Sequence, residues 1–292
     1  MSIDMGLRPQ PTQRISIDKN RVATVRREGR EFVVVTKDGW EFATAGIVAA
    51  SGSFSNPHRP VFPGQAGFTG RLWHVAEYRT PLPYVGMRVV VVGAGDSAPQ
   101  VANELAPLAD VTLAVGHPLR FIPQRIGGRD VHHWLRETGF DSLPAAWLSK
   151  ISGGSLITDS VGFQRTLAAG LVDVRPMFIA LDRDQVVWSE DERERVDVIL
   201  LATDYRPSLD YLRDLGALDL NDQPLNLGGI STTHLGLVYV GLENQRSFAS
   251  NTLRGVSADA AAVVAPLVAW IRDPPAAVGI TEFQPAPLTL VN

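Results

Sequence analysis

The sequence predicts an α/β protein with parallel sheets, and three features support this fold class. Four valines at residues 89–92 lead into a glycine-rich turn, an amphipathic helix and a second apolar strand. Segments 31–52 and 185–204, on either side of that unit, repeat one pattern: a β excursion with a polar turn, an apolar strand and small residues. The 292 residues are 45% hydrophobic and 20% charged, as in ordinary globular proteins. A strand–helix–strand unit in such a chain is typical of a parallel sheet.

The composition excludes several classes of protein. Lys and Arg number 27 and Asp and Glu 31, so the net charge of −4 gives no basic excess for binding nucleic acid or a membrane surface. The sequence has no cysteine, which excludes disulfide frameworks, thiolate zinc sites, iron–sulfur clusters and disulfide reduction. The longest apolar run, 260–271, is far shorter than the roughly 20 residues of a membrane helix. Because the N-terminus has no apolar signal core, we expect a cytoplasmic protein without nucleic-acid or membrane partners.

The segments around the glycine-rich unit have their own patterns. Alternating apolar residues flank a polar turn at 37–39, which predicts a β-hairpin. Residues 117–175 form a long excursion with three short helical patterns. His132 and His133 adjoin in it, but neighbouring helix positions point about 100° apart, so no metal site is predicted. The proline-rich tail after residue 274 is expected to be loosely ordered.

The glycine-rich turn, residues 93–98, has the form G-x-G-x-x-A and the context of a dinucleotide-binding turn, with a strand before it and a helix after it. Gly93 permits the tight turn, and Gly95 lets the backbone approach a pyrophosphate. Ala98 takes the third position, where a small residue keeps helix and strand close. The helix N-terminus at Asp96 and Ser97 supplies amide donors and a positive dipole end to phosphates.

The residues after the second strand favour NADP(H) over NAD(H). An acidic residue about 20 positions after the turn would bind a ribose 2′-hydroxyl, but no Asp or Glu occurs between residues 111 and 129. Arg120, Arg125 and Arg129 lie there instead, and guanidinium groups suit a 2′-phosphate. We take Arg120 as the leading contact; the alternative is that these arginines are solvated loop residues.

A motif ahead of the turn is the most specific feature of the chain. Phe68, Gly70, His74 and Tyr78 match F-x-G-x-x-x-H-x-x-x-Y at every fixed position. In this motif and in its place before the glycine-rich turn, the chain resembles the flavin-containing monooxygenases, class B flavoproteins with two dinucleotide-binding domains. Related Baeyer–Villiger enzymes carry Trp where Tyr78 stands, so the resemblance favours the flavin-containing type. We expect His74 to be structural, bonding backbone at the domain junction.

Three further segments, around residues 50–64, 201–207 and 241–259, resemble places where the family chain reaches the flavin. The resemblance assigns the following residues to the edge of an FAD site: Ser51, Gly52, Ala202, Thr203 and Gly241. Asp204 replaces the usual glycine, which is tolerable if its φ is positive. Gly116 stands where many relatives carry an arginine for the NADP phosphate, so that role passes to Arg120 or is weakened.

The resemblance implies two Rossmann-like domains of the FAD/NAD(P) flavoprotein type. We expect residues 1–84 to form a partial FAD-type domain, residues 85–196 an inserted NADP-binding domain, and residues 197–292 the remainder of the FAD-type domain with a C-terminal helix and tail. No G-x-G-x-x-G unit for FAD precedes Ala50, so this domain is expected to be incomplete at its N-terminus. A second copy of the chain or a partner polypeptide would then cover the sheet edge and the apolar surface that the missing segment leaves exposed.

The function implied by the resemblance is an FAD- and NADPH-dependent oxygenation of a small nitrogen or sulfur nucleophile. No catalytic residue is identified, and the substrate pocket has no signature in the sequence. Alternatives from other classes stay open: a flavin-free NADP(H)-binding protein, one subunit of a split flavoenzyme, or a shortened reading frame. We expect the chain alone to bind FAD weakly, because its one glycine-rich turn is assigned to NADP.

Overall fold

The two main sheets of the chain contain parallel strands, and in each of them one strand follows an antiparallel meander. The computed structural model describes residues 20–151 and 156–273, so the proline-rich tail lies outside the described residues. The strands are β1 (Val22–Glu28), β2 (Glu31–Thr36), β3 (Glu41–Thr44), β4 (Ile47–Ala49), β5 (Arg71–His74), β6 (Arg88–Val92), β7 (Asp110–Val115), β8 (Arg120–Ile122), β9 (Arg125–Ile126), β10 (Arg129–Asp130), β11 (Leu156–Thr158), β12 (Val172–Pro176), β13 (Ala180–Asp182), β14 (Gln185–Val187), β15 (Arg193–Arg195), β16 (Val198–Leu201), β17 (Asn226–Leu227), β18 (Ile230–Ser231) and β19 (Leu237–Tyr239). The α-helices are α1 (Ser97–Leu105), α2 (Val131–Glu137), α3 (Ala145–Ile151), α4 (Phe163–Ala168) and α5 (Val256–Arg272).

The larger sheet is fully parallel and has the order β12-β7-β6-β16-β5. Its central strands β6 and β16 are almost continuously apolar, because a strand between two other strands with both faces covered has no water to face. Helix α1 covers one face through Ala98, Ala102 and Leu105, all fully buried. The predicted order of strand, turn, helix and strand is confirmed.

The smaller sheet has the order β17-β18-β19-β4, and its pair β19 and β4 is parallel. Val263 and Leu267 of α5 pack against this sheet. A second apolar cluster, which includes Phe32 and Leu212, lies between the first meander and strands β4 and β19. In the part of the chain that the model describes, no helix is long and apolar enough to cross a membrane.

The repeated sequence pattern corresponds to a repeated structure. Strands β1-β2-β3 form one three-stranded antiparallel meander, with the predicted hairpin between β2 and β3, and strands β13-β14-β15 form another. Each meander is followed by a strand with a parallel neighbour, β4 in the smaller sheet and β16 in the larger.

The sheets divide the chain at places other than the predicted boundaries after residues 84 and 196. Strands β5 and β16, which the prediction gave to the two parts of the FAD-type domain, hydrogen-bond in the larger sheet with β6. The sequence pattern of an apolar strand such as β16 does not show which sheet the strand joins, because contacts distant along the chain decide the pairing. The larger sheet therefore extends beyond residues 85–196 at both ends.

The long excursion after β7 forms a small layer of its own. Strands β8 and β11 pair in parallel. The chain between them forms the short hairpin of β9 and β10, followed by α2 and α3. The three short helical patterns predicted for residues 117–175 correspond to α2, α3 and α4.

Candidate dinucleotide-binding site

The glycine-rich turn lies at the carboxyl end of β6, against the end of β16. Gly93 has φ 148°, and a Cβ built on it would lie 2.3 Å from the backbone oxygen of Ala202, so only glycine fits there. A Cβ on Gly95 would meet only the Asp204 Oδ1, at 3.7 Å, so space is open in front of this residue. Gly93 thus closes the turn. Gly95 leaves an open space at the turn, called the cradle below, which a larger residue would narrow.

Helix α1 begins directly after this cradle. Asp96 occupies the N-cap position but makes no side-chain cap hydrogen bond, and Ser97 at the first helical position is exposed. The first N–H groups of a helix have no intrahelical acceptor and carry the positive end of its dipole. The open cradle and the uncapped helix terminus therefore fit the pyrophosphate of NADP(H), and Ala98 packs the helix closely beneath them.

The three arginines predicted near the 2′-phosphate differ in their partners. Arg125 donates to the Gly128 carbonyl oxygen at 2.8 Å, and Arg129 lies 3.3 Å from the Nε2 of His133. The side chain of Arg120, exposed on β8, makes no hydrogen bond or ion pair with the residues that the structure describes. Arg120 is thus the arginine left available for an anion. Gly116, at the position of the family arginine, is also exposed.

Two chain segments, called the crossings below, run side by side between the two main sheets. The first follows β4 and the second follows β16. Ser51 Oγ donates to the Ser208 carbonyl oxygen at 2.6 Å, and Thr203 Oγ1 donates to the His58 carbonyl oxygen at 2.6 Å. Both side chains, which the resemblance assigned to the FAD edge, thus tie the crossings to each other. Gly52 lies in the first crossing with φ 65°.

Ala202 and Asp204 lie beside the glycine-rich turn. Ala202 is buried and its N–H donates to the Val92 carbonyl oxygen at 2.7 Å, so it lies beside the glycine-rich turn of the larger sheet. Asp204 has φ 61°, which meets the condition for its replacement of a glycine.

His74 is a structural residue. Its ring is fully buried, and its Nδ1 accepts a hydrogen bond from the N–H of Ala76 at 3.0 Å. The other ring nitrogen, Nε2, must then carry the proton and donate to the Asp204 carbonyl oxygen at 3.1 Å. Burial lowers the pKa of His74 below its ordinary value, which keeps the ring neutral. The expected role, bonding backbone where the sheets meet, is confirmed.

The other motif residues also pack. The Phe68 ring covers Gly70 so closely that a Cβ on the glycine would lie 2.5 Å from the ring. Tyr78 packs against Tyr84, and its hydroxyl is buried without a hydrogen-bond partner in the described residues. Burial, together with the nearby Glu104 carboxylate, raises the pKa of Tyr78 above its ordinary value. The motif residues therefore stabilise the region of the fold beside the glycine-rich turn.

A small cavity of about 190 Å³ lies where the crossings approach the end of β19. Gly52, Asp204 and Gly241 line it, and Gly241 has φ 84°. The remaining lining residues, which sequence reasoning missed, are Ser53, Phe54, Tyr205, Glu243 and Asn251. Several of them follow the carboxyl ends of parallel strands, where ligands of α/β proteins bind, and that position was the available signal. Loss of water around Glu243, followed by the charge of Asp204, raises the pKa of the Glu243 carboxyl.

The described residues fit a flavin only at its edge. The cavity is smaller than the roughly 300–1,000 Å³ of sites that enclose a drug-sized ligand. Within residues 20–151 and 156–273, the strand–glycine turn–helix unit at 93–98 is the one arrangement suited to a pyrophosphate. A larger cavity of about 390 Å³ lies at the amino ends of β5, β6 and β16, away from the turn, so we do not assign it to the cofactor.

Comparisons with known proteins agree with this geometry. The family model described as pyridine nucleotide-disulphide oxidoreductase matches residues 12–136. An uncharacterized CzcO-like oxidoreductase of Geobacillus kaustophilus is 26% identical over 244 residues, which are 82% of this chain and 69% of that protein. The indole-3-pyruvate monooxygenase YUCCA4 of Oryza sativa is 26% identical over 258 residues, covering 78% of this chain and 57% of that protein.

A solved structure shows the fold. The flavin-containing monooxygenase of Stenotrophomonas maltophilia superimposes with a TM-score of 0.73 at 22% identity, covering 86% of this chain and 70% of that chain. Although the family model is named for disulphide chemistry, the sequence has no cysteine and hence no thiol pair. The chain is similar in sequence to the CzcO-like oxidoreductases and the flavin-containing monooxygenases, and it has the α/β fold of FAD/NAD(P)-binding flavoproteins.

Proposed function

We propose that this chain binds NADPH in an FAD- and NADPH-dependent oxidoreductase of the flavin-containing monooxygenase type, which oxygenates a small nitrogen or sulfur nucleophile. The observation that carries the proposal is the cradle at Gly95, open in front of an uncapped helix N-terminus. The homologues named above support the oxygenase class.

Each residue of the turn has a separate task in this proposal. Gly93 closes the turn against Ala202, and the backbone at Gly95, Asp96 and Ser97 offers N–H donors to the pyrophosphate. Arg120 pairs with the 2′-phosphate. NADPH, when bound, supplies a hydride, and the protein contributes its binding and orientation. The described residues hold no second cradle for the phosphates of a flavin.

The same observation favours a second candidate: an NADP(H)-binding protein without flavin, or one subunit of a split flavoenzyme. The residues assigned to the FAD edge do not supply the amides that bind a pyrophosphate. Ser51 and Thr203 are engaged between the crossings, and Ala202 packs on Gly93.

The first test concerns the 2′-phosphate. Arg120→Ala is expected to weaken NADPH binding about tenfold or more and to leave NADH binding nearly unchanged, since a lost charge-assisted hydrogen bond costs roughly 1.5–3 kcal/mol. Isothermal titration with both cofactors measures it. Arg125→Ala is the matched control, because that guanidinium is already bonded within its own loop. Equal losses for both cofactors would show that Arg120 does not contact the phosphate.

The second test separates the two candidate functions. We expect FAD titrated into the purified 292-residue chain to bind weakly, with little change in flavin fluorescence and little NADPH-dependent oxygen consumption. The reason is that the single pyrophosphate cradle of the described residues is assigned to NADPH. Stoichiometric, sub-micromolar binding of FAD would reject the flavin-free candidate and support oxygenation by this chain alone.

A further inference from the structure

Asp96, in the middle of the glycine-rich turn, is bonded to a distant strand. Its Oδ1 accepts two hydrogen bonds from Thr158, one from the backbone N–H at 2.9 Å and one from the hydroxyl at 3.1 Å. An N-cap aspartate ordinarily accepts from the second or third N–H of its own helix. Here that bond is absent, because the Ala98 N–H bonds the Gly95 carbonyl oxygen and Pro99 has no N–H. The carboxylate instead attaches the turn to β11.

Strand β11 pairs with β8, the strand that contains Arg120. The two strands pair in parallel, with Thr158 opposite Ile122 and Leu156 opposite Arg120. The strand pair is also attached to α4: Phe121 contacts Phe163 with ring centroids 6.2 Å apart, and Asp159, directly after β11, accepts a hydrogen bond from the Phe163 N–H at 2.6 Å. The bond between Asp96 and Thr158 is the polar link from the glycine-rich turn itself to the strand pair that presents Arg120.

From this arrangement we infer that Asp96 is a positioning residue that sets the preference for NADPH over NADH. The inference rests on the proposed function, in which NADPH is the cofactor and Arg120 its 2′-phosphate contact. The pyrophosphate and the 2′-phosphate belong to one molecule, so the cradle and Arg120 must keep one separation. Charge-assisted hydrogen bonds weaken quickly when donor and acceptor move out of line. By holding β11 on the turn, Asp96 keeps β8 and Arg120 within reach.

The charge of Asp96 must be separated from this bond in any test. A carboxylate beside the cradle repels phosphate, so its loss alone should strengthen the binding of both cofactors. Asp96→Asn and Asp96→Ala both remove the charge, but only the asparagine keeps an Oδ1 that can accept from Thr158. The difference between the two variants therefore reports the bond and not the charge.

The experiment measures dissociation constants of NADPH and NADH for the full chain and for both variants by isothermal titration. We expect Asp96→Asn to keep the ratio of NADPH to NADH affinity within about twofold, and Asp96→Ala to lower it about fivefold or more. Thr158→Val, which loses only the hydroxyl, should lower the ratio in the same direction by a smaller factor. Hydrogen exchange at the Thr158 amide should accelerate in Asp96→Ala and not in Asp96→Asn.

Two results would overturn the inference. The first is an unchanged cofactor ratio in Asp96→Ala, whether both affinities stay the same or fall equally, because the bond then does not position Arg120. If Asp96→Ala fails to fold, an unchanged ratio in Thr158→Val has the same meaning. A wild-type chain that does not prefer NADPH removes the cofactor assignment itself, a failure of the proposed function that is read without any variant.

Discussion

Gly95→Ala should abolish tight NADPH binding in a protein that remains folded, whereas Gly93→Ala should strongly destabilise the fold. A Cβ on Gly95 meets only an Asp204 oxygen at 3.7 Å, an ordinary contact, but it would stand in the space left for the pyrophosphate. Losing two charge-assisted hydrogen bonds from backbone amides would weaken NADPH binding about 100-fold or more. At Gly93, a Cβ would overlap the Ala202 carbonyl oxygen, and φ 148° is unfavourable for any side chain. We expect a cost of about 3 kcal/mol or more in the free energy of unfolding.

Urea denaturation and isothermal titration of NADPH on the two variants measure these effects. Gly67→Ala is the control, because Gly67 is exposed, has no positive φ and has no heavy atom within 4 Å of the added Cβ, so this change should alter neither quantity. Tight NADPH binding by Gly95→Ala would contradict the placement of the pyrophosphate.

The second large effect is expected at the ion pair of Asp141 and Arg254. Asp141 is buried, and Arg254 donates to both of its oxygens, at 2.9 and 3.1 Å. The pair joins the excursion after β7 to the segment before α5, with Phe140 and Phe248 in edge contact beside it. Asp141→Ala leaves the guanidinium without its partner, and because Arg254 is about one third exposed we expect a loss of about 2–3 kcal/mol, below the cost for a fully buried pair.

Urea denaturation measures that loss, and limited proteolysis should show earlier cleavage within the excursion. Asp210→Ala is the matched control: its pair with Arg213 is exposed, and such pairs contribute about 1 kcal/mol or less. A loss at Asp141 no greater than at Asp210 would mean that the excursion is held by its apolar contacts alone.

Local physics made much of the fold predictable. The valine strand, the glycine turn and helix α1 follow from hydrophobic period and from residues within a few positions of each other, and the structure confirms them. The hairpin between β2 and β3 follows from its turn chemistry. The positive φ of Asp204 was expected because a glycine is usual at that place, and the backbone partners of His74 because a buried imidazole needs them.

Contacts distant along the chain decided the rest. Strands β5 and β16 read as apolar strands in either domain, and only packing beside β6 assigns them to the larger sheet. Ala202 and Thr203 follow a strand as flavin-edge residues would, yet one packs on Gly93 and the other bonds the neighbouring crossing.

The partners of Asp96 and Asp141 lie 62 and 113 positions away in sequence. By itself the sequence determined the strand, the glycine-rich turn and the helix of the candidate site, and which residue types surround them. Tertiary structure alone decided which carboxylates hold those segments together, because a side chain's partner is set by the path of the whole chain and not by its neighbours in sequence.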